Sequence, residues 1–148
     1  MNKLENELKQ SIVALLQSNR VLTNNIEQKE LEKQDLLKNM ALGLIETLDS
    51  FERIEEGIFE KEYHKIEEVK KVMNRYTTVQ KKLLSILQQH GITKISFPDN
   101  RLIVGLCEVV DTEPDSSRKN DEIITIIRNG YIRGNELIRA AQILVVKN

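Results

Sequence analysis

The chain has 148 residues, 40% apolar, 30% charged and only 4% aromatic, with 22 Lys plus Arg against 23 Asp plus Glu. That length suits one or two small domains, and the near-neutral balance excludes a global pull toward nucleic acid or anionic lipid. A lone cysteine, Cys107, excludes an internal disulfide framework and points to a reducing compartment.

The first residues, Met1 to Glu7, are charged from the start and carry no signal-peptide pattern. The longest apolar stretch, around Leu102 to Val110, contains Gly105 and Glu108 and is too short to span a bilayer. A soluble, cytoplasmic protein is expected.

Leu, Glu, Lys and Gln dominate before Gly91, and Ile and Val after it. A first helix is expected from about Lys3 to about Glu56. Spacings of four and three run through Leu8, Ile12, Leu15, Asn19, Leu22, Ile26, Lys29, Lys33, Leu36 and Met40. This is a heptad seam, with Leu8, Leu15, Leu22 and Leu36 on one core line. Asn19 lies on the other, where a single Asn selects an in-register pair at some cost in stability. Lys29 and Lys33 interrupt the seam. Such a helix would reach roughly 80 Å at 1.5 Å per residue. The remaining chain is too short to cover it, so a homodimer is expected. Beyond Met40 the apolar face widens through Leu44, Leu48, Phe51 and Ile54, as in a bundle.

Gly57 marks an expected break. A second helix is expected from about Tyr63 to His90, with Ile66, Val69, Met73, Tyr76, Leu83 and Leu87 on one face and Gly91 as its cap. Strands are then expected ending at Ile95 to Phe97, over Leu102 to Val110, and over Ile123 to Arg133 and Leu137 to Lys147. Thr112 to Asp121 reads as a polar loop and Gly134-Asn135 as a hairpin turn. The fold class is α+β: a stalk helix over 1–40, a helical bundle and dimerisation region over 41–91, and an all-β domain over 92–148.

Catalytic patterns are missing. There is no phosphate loop and no dinucleotide fingerprint. His64 and His90 fall at opposite ends of one expected helix, too far apart to share a metal. Cys107 lies in an apolar strand with no His placed to activate it. Interaction, without cofactor or metal, is left as the mode of action.

The segment Asn129 to Val146, with Gly130-Tyr131 followed by Ile138-Arg139-Ala140-Ala141, resembles the closing motif of the GrpE family. Leu44 to Arg53, reading Leu-Ile-Glu-Thr-Leu-Asp-Ser-Phe-Glu-Arg, resembles its leucine-rich segment. His90-Gly91-Ile92 resembles its helix-to-β junction. The chain departs from the family where Asn24 to Lys29 largely lacks a basic patch. It departs again at Phe97-Pro98-Asp99-Asn100, where the family's Asp-Pro order is reversed.

The resemblance implies a nucleotide exchange factor co-chaperone, not an enzyme. Its implied partner is the nucleotide-binding domain of an Hsp70 (DnaK), and the stalk would meet an unfolded-protein substrate complex. No nucleic acid or membrane is implied. Carried over by motif, the Hsp70 contacts are Arg53, Glu56, Ile127 and Val145. Gly130, Tyr131, Arg139 and Ala140 match as well, with either contact or a turn-and-packing role. The alternative is a coiled-coil scaffold or adaptor whose β-head binds a partner other than an Hsp70.

Overall fold

The computed structural model describes residues 2–148. They fall into two compact units, one ending at Met40 and the other running Ala41–Asn148. The fold is mixed α+β. Helix α1 spans Asn2–Glu60, a 3-10 turn spans Tyr63–Lys65 and α2 spans Glu67–Gln89. Strands follow: β1 (Ile92–Lys94), β2 (Cys107–Glu113), β3 (Ile123–Arg128), β4 (Tyr131–Arg133), β5 (Glu136–Arg139) and β6 (Ala141–Val146).

In the first unit the seam residues Leu8, Ile12, Leu15, Asn19, Leu22, Ile26, Leu36 and Met40 are all exposed. Its ion pairs, Lys9–Glu5 at 2.8 Å and Lys29–Glu32 at 2.9 Å, lie in solvent. Pairs of that kind, screened by water, stabilise a helix only slightly. Propensity and such pairs therefore support this stretch, in which no described residue is buried.

The second unit has two apolar clusters. In the first, Ala41, Ile45 and Leu48 of α1 meet Leu87 of α2, Ile92 of β1, Tyr131 of β4 and Ile138 of β5. Of the expected face Leu48 is buried and Leu44 and Phe51 are half-buried, Ala41 and Ile45 extend the buried stripe, and only Ile54 stays exposed. Phe51 packs its ring on Tyr76 of α2, centroids 4.3 Å apart. The second cluster joins Ile123 of β3 with Ala141, Ile143 and Val145 of β6.

The strands form two three-stranded sheets, ordered β1-β4-β5 and β2-β6-β3. β4 and β5 turn at Gly134-Asn135, with Arg133 opposite Glu136 and Gly134 at φ 57°. β2 runs parallel to β6, and β3 runs antiparallel to it.

Several expected boundaries moved. Gly57 does not end the first helix, which continues to Glu60. A glycine inside a helix costs only about 1 kcal/mol, and Phe59 in the last turn sets its ring against that of His64, centroids 4.6 Å apart. The chain leaves the helix at Glu62, φ 58°. Tyr63 belongs to the 3-10 turn, so α2 begins at Glu67. It ends as expected, with Gly91 at φ 75° donating to the Gln88 carbonyl.

β1 stops at Lys94, before Ile95 and Phe97. The Leu102–Val110 strand begins only at Cys107, because Val104–Leu106 turn with Gly105 at φ 88°. β2 then takes in Thr112 and Glu113, since an exposed edge strand tolerates polar side chains.

The two long C-terminal strands are each two strands. Both change sheet where Gly130 meets Ala140-Ala141. A Cβ on Gly130 would lie 2.5 Å from the Ala141 nitrogen, 2.7 Å from Ile95 Cδ1 and 2.9 Å from the Arg139 carbonyl. Space, and not a special φ, demands glycine there. Gly130→Ala is expected to cost about 2 kcal/mol or more, read as a lower urea midpoint; a midpoint unchanged from wild type would refute the close crossing.

Candidate partner-binding site

The α1 segment from Glu46 to Glu56 lies alongside the end of β3 and the start of β6. Asp49 is one turn beyond Ile45, on the edge of the buried face. Arg139 closes β5 and reaches it with two bonds, Nη1 to Oδ2 at 2.6 Å and Nη2 to Oδ1 at 2.8 Å. Both side chains are only 12% exposed. Arg139 also donates to the Asn129 carbonyl through Nε at 3.1 Å and Nη2 at 2.6 Å. One guanidinium thus ties α1 to β5 and to the crossing at Gly130. A planar fork matches a carboxylate in a way that a lysine cannot.

Around that pair lies a wider network. Arg128 donates from Nε to Asp49 Oδ2 at 3.0 Å. Asn129 donates from Nδ2 to both oxygens of Glu52, at 3.0 and 3.1 Å. Lys94 of β1 reaches Glu52 at 3.1 Å. Burial alone would raise the Asp49 pKa, but hydrogen bonds from Arg139 and Arg128 outweigh it and hold the carboxyl below its usual range.

Tyr131 is 1% exposed beneath this network, with Arg139 over its ring at 5.6 Å. Its hydroxyl has no hydrogen-bond partner. Burial, and next the charge of Glu52, pushes that hydroxyl up to about 12. The fold therefore uses the ring, not the acid–base chemistry of the phenol.

Outside the network is an open groove of about 440 Å³, walled by Glu46, Asp49, Ser50, Glu52, Arg53 and Glu56 of α1 and by Ile127, Arg128 and Gln142 of the sheet. β3 is bulged here: the register slips between Ile126 and Arg128. Such a bulge re-aims side chains. Ile127, 54% exposed, consequently faces out into the groove instead of joining the core. Arg53 donates to Ser50 at 3.3 Å and keeps its charge at the groove wall.

Of the four residues carried over as contacts, Arg53, Glu56 and Ile127 therefore share one groove. Val145 does not. It is 2% exposed, packed with Ile123 and Ile143 between β2 and β3. Its side chain belongs to the core, and a charge placed there would disrupt the sheet. Gly130, Tyr131, Arg139 and Ala140 all sit at the joint between helix and sheets. Asp49, Glu52, Arg128 and Gln142 were not singled out by sequence. Asp49 and Glu52 stand inside the Leu44–Arg53 motif, but nothing in one sequence pairs them with residues near position 130. Among the described residues, no cluster of His, Cys, Asp and Glu is grouped to hold a metal ion, and no helix is long and apolar enough to cross a membrane.

The family model described as GrpE matches residues 1–147. The chain belongs to the GrpE family. It is 28% identical to Protein GrpE of Parvibaculum lavamentivorans over 150 residues, covering 97% of this chain and 70% of that one. It is 27% identical to Protein GrpE of Methanosphaera stadtmanae over 117 residues, 78% of this chain and 64% of the relative. Protein GrpE of Acinetobacter baumannii strain AYE is 25% identical over 149 residues, 98% of this chain and 76% of the relative. The GrpE match takes in both segments that the Asp49–Arg139 pair joins.

Replacing Arg139 with Ala is expected to cost about 2 kcal/mol, less than the 3–5 of a fully orphaned charge because Arg128 stays beside Asp49. The Asp49 pKa is depressed on folding, so its contribution is complete above the unfolded carboxyl value near 4 and is lost as pH falls below it. Urea midpoints for wild type and Arg139→Ala should therefore differ most at pH 7 and draw together toward pH 3. A constant gap would show that the ion pair is not the source.

Proposed function

We propose that the chain is a nucleotide exchange factor co-chaperone. It binds the nucleotide-binding domain of an Hsp70 (DnaK), favours its open cleft and so promotes ADP release. Membership of the GrpE family across nearly the whole chain is the observation that carries this reading. The groove supports it with a surface suited to a protein partner: an exposed isoleucine between a cation and several carboxylates, on elements fixed by a partly buried ion pair. Arg53, Glu56 and Ile127 are the proposed contacts.

The mechanism is linkage. A partner that binds the open cleft better than the closed one weakens nucleotide binding by that same difference. A thousandfold faster loss of ADP corresponds to roughly 4 kcal/mol of differential binding, if the rate carries the whole effect. Three or four well-packed contacts can supply it.

The exposed seam from Leu8 to Met40 supports a parallel homodimer. Sedimentation at micromolar concentration should give twice the 17.1 kDa chain mass. A monomer throughout that range would remove the paired stalk.

Stopped-flow release of a fluorescent ADP analogue from DnaK tests the exchange activity. Wild type should accelerate release, and Ile127→Asp should reduce the effect roughly tenfold or more, as expected of an apolar anchor turned into a charge. Binding that leaves the release rate unchanged would favour an adaptor over an exchange factor.

A further inference from the structure

Arg128 ends β3 immediately after the bulge, in register with Gln142 of β6. Its guanidinium uses one nitrogen, Nε, on Asp49 Oδ2 at 3.0 Å. Asp49 is already held twice by Arg139, at 2.6 and 2.8 Å. Two guanidinium charges therefore face one carboxylate, and the second is surplus to it. Glu52 is occupied by Lys94 and Asn129. Glu46 and Glu56 line the same groove, and neither bonds Arg128. The Arg128 side chain is 40% exposed and walls the groove beside Ile127, whereas that of Arg139 is 12% exposed and faces inward.

The geometry points to Arg128 as a specificity-determining residue of the docking surface: its free guanidinium edge takes a carboxylate of the partner's nucleotide-binding domain. This rests on the exchange-factor reading above. Leaving Asp49 costs the fold little, because Arg139 keeps that carboxylate paired. Arg128 can thus change partners while the joint beneath it stays closed. The two arginines divide the work, Arg139 for the fold and Arg128 for recognition. A cation at the edge of an interface acts mainly on the association rate and its salt dependence.

The test uses the full chain and the isolated, nucleotide-free nucleotide-binding domain of DnaK, with association followed at low and high ionic strength. Arg128→Ala should bind roughly tenfold more weakly, mostly through slower association, and with a shallower salt dependence. Arg128→Glu should bind more weakly still, and Arg128→Lys should recover most of the rate because it restores the charge. Arg128→Lys and Arg128→Ala should melt close to wild type, because Arg139 keeps Asp49 paired, whereas Arg128→Glu sets a carboxylate against Asp49 and is read by its association rate alone. Wild-type association by both Arg128→Ala and Arg128→Glu would overturn the assignment while leaving the exchange-factor reading intact. A fall in melting temperature that tracks the lost affinity would overturn it too, by making Arg128 a structural residue. If wild type itself fails to bind, the exchange-factor reading falls and takes this assignment with it.

Discussion

Asp49 and Arg139 lie 90 positions apart in sequence and 2.6 Å apart in the fold. Their pairing joins the helical part of the second unit to its strands. The apolar cluster under it, from Ile45 to Tyr131 and Ile138, supplies non-directional attraction and does not by itself fix an angle. A bidentate guanidinium–carboxylate pair does fix one. The same Arg139 also holds the Asn129 carbonyl, so the helix, the end of β5 and the crossing at Gly130 share one anchor. A groove between α1 and β3 keeps its shape only while those elements stay in register, and this anchor sets the register.

The crossing explains why so small a β region forms two sheets. Straight strands over Ile123–Arg133 and Leu137–Lys147 would make one long hairpin with an exposed apolar face. Breaking both at Gly130 and Ala140 turns β4 and β5 onto α1, and leaves β3 and β6 to build a second cluster with Phe97 and Leu102. The close approach needs a residue without a side chain at Gly130, because the backbone of Arg139 and Ala141 lies against it. The motif provides it in Gly130. Its Tyr131 fills the first cluster, and its Arg139 closes the joint. Gly130, Tyr131 and Arg139 thus each have a place in the packing of the joint.

The parts of the fold that were legible in the sequence depend on local periodicity. The heptad spacing and the two long helices follow from a period near 3.6, the switch at Gly91 from composition and a glycine placed as a helix cap, and the hairpin from Gly134-Asn135. The misread parts depend on backbone turns and strand neighbours that periodicity does not show. Gly57 looks like a break by propensity, whereas the helix runs past it to Glu60 and turns only at Glu62, beside the Phe59–His64 ring contact. Leu102–Leu106 looked like strand because it is apolar, yet Gly105 turns it. Val145 is a contact by motif alone, and a motif does not say which face of a strand is covered. Here β6 is the central strand of its sheet, and β2 and β3 flank it on both sides.

The site was legible to the same extent and for the same reason. A motif carried Arg53, Glu56 and Ile127 to one groove without any knowledge of its shape. It could not show that Asp49 is already satisfied by Arg139, so it gave no reason to look at Arg128. That residue stands out only when charges are counted in space: two cations on one carboxylate, one of them half in solvent. A buried ion pair that had to break on binding would oppose docking by the cost of an orphaned charge. A surplus cation beside an intact pair escapes that cost. The joint can thus stay rigid while its outer edge changes partners, and a surface that must stay in shape can still respond to a partner's charge.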